Sequence, residues 1–236
     1  MKAVFEREIS SYFTTMLGYI FIAIHIALCT INFISNNIIG GSASFSAMAE
    51  TASIMFVFIV PILTMRSFAE EKKTKSDQLL LTSPISVSSI VWGKFFSALC
   101  VLLIALAVML VFPIILYIFG SPYIGEIFTG YIGLILIGST FISIGMFISS
   151  ITENQLISCI ITMGILFLLW MSNGYIGSVS NTALYTVLTS ISLYAQVSDF
   201  YMSVLNVSSI VYFVSLTLLF LFFTVKAVER RRWSRG

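Results

Sequence analysis

The chain alternates long apolar runs with short polar interruptions. Six runs stand out, at residues 17–34, 47–65, 95–119, 128–151, 156–171 and 207–225. Each is close to the roughly 17 to 25 residues a helix needs to cross a hydrocarbon core. The fifth is the shortest, and its far end blends into Ser172, Asn173 and Gly174. The pattern predicts an all-α chain of six spans in one membrane domain covering residues 1–236.

The interruptions differ in kind. The most charged, 66–94, carries seven charged residues in its first twelve. Within it, 67–81 lacks Gly and Pro and is rich in helix formers, which predicts a short helix. Ser83 and Pro84 end that helix, because the residue before a proline is pushed out of the helical region. Ser86 then offers an N-cap oxygen for a second helix running through Ile90, Val91 and Trp92 into the third run. Ahead of the first run, Val4, Phe5, Ile9, Tyr12, Phe13 and Met16 recur at helical spacing against Lys2, Glu6, Arg7, Glu8 and Ser10. This stripe predicts an interfacial helix over 1–16, lying in the headgroup plane, with Gly18 where the chain turns into the membrane. The segment 173–206 is formally a loop, yet Tyr175, Ile176, Tyr185, Tyr194, Phe200 and Tyr201 are spread through it. Backbone of that character at membrane depth must be covered by protein, which predicts short re-entrant or interfacial helices before the sixth span.

Composition excludes a soluble domain. The chain is 58% hydrophobic and 9% charged, with a mean hydropathy of +1.04, against about 25% charged for a soluble protein. Charge then gives orientation. Lys and Arg occur before the first run, in or beside 66–94, and after the last run, while 35–46, 120–127 and 172–206 contain none. Basic residues stay on the cytoplasmic side of short loops, so both termini and the 66–94 bridge are expected there. The net charge of +2 reads as this topology signal and not as nucleic-acid binding, since no basic stripe lies outside the membrane flanks. The first run is long, and Glu6 and Glu8 precede it, so it reads as a retained span rather than a cleaved leader.

Candidate chemistry inside the membrane is sparse. Cys29, Cys100 and Cys159 fall within runs at no metal-ligand spacing and read as small buried residues. His25 lies mid-span, where an ionisable group raises the question of transport, but without an acidic partner at its depth it reads as a packing residue. Glu50 sits near the outer end of the second run, within reach of water or headgroups. These two form the possible intramembrane polar site. Pro61 and Pro113 should kink their spans. The fourth run holds Gly130, Gly133, Gly138, Ser139, Ser143, Gly145 and Ser149, which fits a helix-packing face and equally a pore lining. Catalytic patterns fail. A phosphate-binding loop ending in Gly93 and Lys94 would need Gly at Ser88 and Ser or Thr at Phe95. A metalloprotease helix needs two histidines and the chain has one. What remains is a membrane body with a charged cytoplasmic bridge, suited to being driven by something that docks there.

The stretch MRSFAEEKKTKSDQLLLTSPISVSSIVWGKF, residues 65–95, resembles the signature of ABC-2 type transporter permeases, in particular the gliding-motility-associated permease and nitrous-oxide-reductase-maturation relatives. FEREISSYFTTMLGYI, GYIGLILIGSTFISIGMFISSITENQ and SDFYMSVLNVSSIVYF extend the likeness along nearly the whole chain. The resemblance implies a bacterial inner-membrane exporter subunit without catalytic residues of its own. The bridge would be a coupling helix seated in a groove of a separate cytoplasmic ATPase that holds the ATP and Mg, and the 1–16 helix would be an elbow. A second permease subunit, identical or a sister, would complete the membrane unit among its lipids. Carried over by position, Arg66, Phe68, Glu70, Glu71, Lys72, Asp77, Gln78 and Pro84 form the coupling set, with Gly93 and Lys94 keeping the pattern. Lys75, Ser76 and Gln78 depart from it, and the last removes a carboxylate that the family often has. A scaffold for a surface or motility machine, with no transported substrate, is the other expectation.

Overall fold

The computed structural model describes residues 1–73, 86–176 and 192–233. Among them every regular element is helical. In a solvent that offers no hydrogen bonds, a helix satisfies its own backbone, so apolar runs of this length have few alternatives. The elements are α1 (Lys2–Thr14), α2 (Leu17–Asn32) continued by a π-helical turn Phe33–Ile39, α3 (Ser46–Thr64), α4 (Ala69–Lys73), α5 (Val87–Met109), α6 (Val111–Phe119), α7 (Ile124–Ile151), α8 (Gln155–Ile176), α9 (Leu193–Tyr201) and α10 (Val207–Trp233). Among the described residues six stretches are long and apolar enough to cross a membrane: Leu17–Ile39, Ser46–Lys73, Val87–Phe119, Ile124–Ile151, Gln155–Ser172 and Val207–Arg230. The six expected spans are all present, with longer ends.

Several local expectations are corrected. The first span does not stop near residue 34 but runs on through the π-helical turn to Ile39. Gly18 does not make the turn between α1 and α2. Met16 makes it in the left-handed region, at φ 62°, while a Cβ on Gly18 would meet the Phe13 ring at 3.2 Å. The bridge helix begins at Ala69, not at Ser67, after a turn over 65–68; the rest of the 67–81 helix and Pro84 lie outside the described residues. Ser86 does cap α5, its Oγ accepting from the Ser89 N–H. Lys94, placed by the sequence at the edge of the bridge, is two turns inside α5. Pro61 is accommodated within α3, whereas Pro113 has an effect upstream. Its ring would strike the carbonyl of Met109, and the third span is broken there, at Leu110, into α5 and α6.

The core is built on α7. Two thirds of its span window is buried, against 22% for α8 and 28% for α10, because α3, α5, α8, α9 and α10 all pack on it. Its small residues make this possible. A Cβ on Gly145 would lie 2.2 Å from Thr64 Oγ1 and 2.9 Å from Thr64 Cβ, and Cβ atoms on Gly130, Gly133 and Gly138 would lie 2.9, 2.9 and 2.5 Å from Phe45, Phe200 and Leu102. The stripe is therefore a packing face, occupied along its length by three neighbouring helices and the residue that leads into α3. Hydroxyls reinforce it: Thr140 Oγ1 reaches Thr217 Oγ1 at 3.0 Å on α10. The outward faces of α6, α8 and α10 carry Ile114, Ile160, Leu168, Leu218 and Phe222, all exposed, as lipid-facing surfaces should be.

The bundle has two unlike ends. One, here called the foot, gathers α1, α4, the start of α5 and the ends of α7 and α10; Phe147 meets Phe220 and Phe223 near it. Every described Lys and Arg lies on an element that reaches the foot. At the other end, the head, α9 is tucked between α3, α7 and α8. Phe200 reaches Gly133, about 13 Å along α7 from its start.

Candidate functional site

The foot is organised around one buried cation. Lys94, with its side chain 2% exposed, places Nζ 2.9 Å from Glu8 Oε1 and 2.9 Å from Glu71 Oε1. Arg7 Nη2 donates to the same two oxygens, at 2.8 and 2.9 Å. Two cations and two carboxylates thus alternate in a set drawn from α1, α4 and α5. The Lys94 ammonium also lies 5.2 Å from the centre of the Phe68 ring, a cation–π contact away from water. An ammonium at this depth is sustained only by such pairing.

Local sequence explains why these groups meet. Val4, Glu8 and Tyr12 follow one another at i, i+4, so Glu8 shares the face that buries Val4 and Tyr12. That face lies on α5, where Gly93 lets it close in: a Cβ at 93 would be 3.1 Å from the Val4 side chain. Lys94 is next in sequence and meets Glu8 across the contact. Burial pushes the Glu8 carboxyl up, but Lys94 and Arg7 outweigh it and hold the group below the ordinary carboxylate range. Tyr12, buried beside it, has its phenol pushed up by that burial.

A second set of contacts fastens α4 to the end of α7. Ser149 Oγ accepts from the N–H groups of Phe68 and Ala69, each at 3.1 Å, and donates to the carbonyl of Met65 at 3.2 Å. One hydroxyl has one donor and two acceptor positions, and all three are used. Ser149 thereby caps α4 from another span, where α4's own sequence supplies no cap. Lys72 Nζ donates to the carbonyls of Ser150 and Thr152, a cation at the C-terminal end of α7, where the helix dipole favours it. Arg66 holds Glu70 through two bonds, 2.5 and 2.8 Å, the bidentate geometry that makes such pairs strong.

Of the coupling set read from the sequence, the structure brings Arg66, Phe68, Glu70, Glu71 and Lys72 together at the foot. Asp77, Gln78 and Pro84 lie outside the described residues. Phe68 and Glu71 point inward at Lys94, and Lys72 at α7, so these three hold the helix in place. Lys73 is exposed. The sequence reading missed the pairing of Arg7 and Glu8, placed on the polar side of the interfacial helix, and of Ser149, taken as one more small residue. The position of Glu8 on the buried stripe was the available signal.

The two intramembrane candidates are not brought together. His25 is fully buried, stacked on Phe56 with centroids 5.2 Å apart and 3.9 Å from Cys29 Sγ, which fits packing. Glu50 is at the head, exposed, accepting from the Tyr194 hydroxyl at 2.7 Å. That bond, with burial added, pushes the Tyr194 phenol up to about 12, so it stays protonated and donating. Two further head carboxylates are held in the same manner by neutral donors. Glu126 accepts from Ser44 Oγ and from the Ser46 N–H at the start of α3, and Asp199 accepts from Asn206 Nδ2 at 3.0 Å.

A comparison with curated proteins found no match. A family model described as ABC-2 family transporter protein matches residues 27–228, from within the first span to near the end of the sixth and including α4 and Lys94, and the chain belongs to that family.

Proposed function

We propose that the chain is the membrane-spanning permease subunit of an ATP-driven ABC-2 exporter in a bacterial inner membrane, and that its bridge couples a separate cytoplasmic ATPase, holding ATP and Mg, to export. Within the family we place it near the gliding-motility-associated and nitrous-oxide-reductase-maturation permeases, on the motif at 65–95. It works as a pair, with a second copy or a sister subunit. The foot is the cytoplasmic side, since the described basic residues gather there, and α1 is an elbow in the headgroup plane.

The observation that carries the reading is the triple attachment of α4. Glu71 ties it to Lys94 of the third span and to α1, Ser149 and Lys72 tie it to the fourth span, and the turn at 65–68 joins it to the second. A force applied to the bridge by a closing ATPase is thus delivered to three spans and the elbow at once. A helix that merely rested on lipid would need none of these bonds.

The test is purification of the full chain from native membranes together with its ATPase. Hydrolysis should be present in the complex, and Lys73→Glu, on the exposed side of α4, should lower ATPase recovery without changing thermal stability. Cysteines at Ser42 and Ser121 should react with an impermeant reagent from outside and one at Ser76 should not. Recovery of the chain with no ATPase, or outside labelling at Ser76, would sink the reading. ATPase recovery without any transported substrate in vesicles would favour a scaffold.

A further inference from the structure

We infer that a groove between the first and third spans, near the head, holds one acyl chain of a phospholipid from the head-side leaflet. The site is separate from the foot and stands whether or not the protein exports.

Two backbone irregularities shape the groove. The first span leaves α-helical geometry at the π-helical turn Phe33–Ile39, and the third is broken at Leu110, just ahead of α6. Departures of the first kind recur at functional sites, and here both spans depart at the same level. They meet below and above the groove. Below, the rings of Phe33 and Phe112 have centroids 5.1 Å apart. Above, a Cβ on Gly120 would lie 3.4 Å from the Cβ of Ala43, in the connection that follows the first span. Between these contacts the spans part, and the space has a volume of about 430 Å³, within the roughly 300 to 1,000 Å³ of pockets that take small molecules.

Shape and lining say what fits. From Phe112 to Gly120 the third span rises about 12 Å, most of the roughly 15 Å that one leaflet gives to a hydrocarbon core of about 30 Å. Spread over that length, 430 Å³ leaves a cross-section of about 36 Å², whereas a helix about 10 Å across takes about 80 Å². The groove thus admits a single chain and excludes a helix of a second copy. Ile38, Ile115, Leu116 and Phe119 form its walls, and aliphatic walls give water no bonds, so the space takes apolar matter. At membrane depth that matter is an acyl chain. The polar lining residues, Asn37 and Ser42, are joined by the bond from Asn37 Nδ2 to the Ser42 carbonyl at 2.7 Å and lie toward the headgroup layer. An amphiphile is matched from end to end: its ester beside Asn37 and Ser42, its chain running down past Leu116 to the Phe33–Phe112 floor.

The experiment places the full-length protein in vesicles of equal parts phosphatidylethanolamine and phosphatidylglycerol. A trace of the phosphatidylglycerol carries a photoactivated diazirine midway along one chain, and adducts are mapped by peptide mass spectrometry. Val211 and Val214, exposed on α10 at matching distance from the head, report ordinary lipid contact. In the wild type, Ile38, Ile115 and Phe119 should carry about tenfold more adduct than these two. Ile115→Trp, which fills the groove, should bring Ile38 and Phe119 down to the α10 level. Equal yields in the groove and on α10 of the wild type mean bulk lipid only and overturn the site, a result that depends on no variant folding. Undiminished yield in a folded Ile115→Trp overturns it as well. So does a groove without adducts whose Phe119→Cys variant cross-links between two molecules, which would seat a second copy there.

Discussion

The two ends of the bundle treat charge in opposite ways. At the foot, Lys94 and Arg7 are locked to Glu8 and Glu71 in a set that joins α1, α4 and α5. At the head, Glu50, Glu126 and Asp199 accept from hydroxyl, backbone and amide donors, with no basic residue in reach. Ions paired away from water are mutually dependent, because removing one strands the others. A carboxylate satisfied by a neutral donor at an exposed site depends on nothing of the kind. The foot is therefore held as one unit, whereas each head carboxylate can lose its donor without stranding another ion.

The contrast is broken most directly at Lys94. Lys94→Met removes the only cation that is almost wholly buried in the set and leaves Glu8 and Glu71 facing each other across Arg7. The expected cost is about 3 to 5 kcal/mol, read as a large fall in thermal midpoint in detergent. Adding Glu71→Gln to Lys94→Met should recover part of that loss, since one stranded carboxylate is then neutral. A Lys94→Met protein as stable as wild type would mean that the foot is not held by these ions.

Next in size is Gly145→Ala. The new methyl would meet Thr64 Oγ1 at 2.2 Å and Cβ at 2.9 Å, and a threonine packed between two spans has little room to turn. Overpacking of this kind costs about 1 to 3 kcal/mol. The same change at Gly164, where a Cβ would meet nothing within 4 Å, is the control and should be silent. Equal effects at the two positions would show that helix propensity, and not close approach to α3, governs the fourth span.

These residues also show what could be read from the chain alone. The six spans were legible because each is an uninterrupted apolar run, and for such a run the bilayer leaves one structural solution. The Ser86 cap was legible because capping is local. Lys94 was not, since its surroundings are set by Glu8 and Glu71, 86 and 23 residues away, and a lysine eight residues into a helix looks like a flank until those partners are known. Ser149 was hidden for the same reason: a serine in a small-residue stripe gives no sign that it caps a helix in another span. Glu50 was placed near the outer end by the sequence, while its phenol partner, distant in sequence on α9, came only with the fold.

A pH titration sharpens the comparison with a smaller effect. The folded Glu8 carboxyl is held below its ordinary value of 4.5 by Lys94 and Arg7, against the opposing pull of burial. A carboxylate whose folded value is depressed adds stability that is complete above the unfolded value and is lost as pH falls through the folded one. Acid should thus loosen α1 from α5 below about pH 4.5, seen as rising reactivity of a cysteine placed at Val4. Glu8→Gln should already be loosened at neutral pH and should lose that acid dependence. A wild-type profile flat from pH 7 to pH 3 would remove Glu8 from the contacts that hold α1 on α5.

The smallest expected effect is at the head, and it is the sharpest test of the contrast. Glu50→Gln keeps the length and shape of the side chain and replaces the carboxylate oxygen that Tyr194 bonds with an amide oxygen, which accepts equally well in geometry. The charge lost was exposed and paired with no cation, so no ion is stranded by its removal. What is given up is the charge-assisted part of one hydrogen bond near solvent, within about 1 kcal/mol. Burial of Tyr201 and its bond to Ser53 continue to hold α9 on α3. Thermal unfolding of Glu50→Gln beside Lys94→Met should therefore give a midpoint close to wild type for the first and far below it for the second. If the two variants fall together, the carboxylate at the head is as integral to the fold as the ions at the foot, and the division of labour between the two ends is lost.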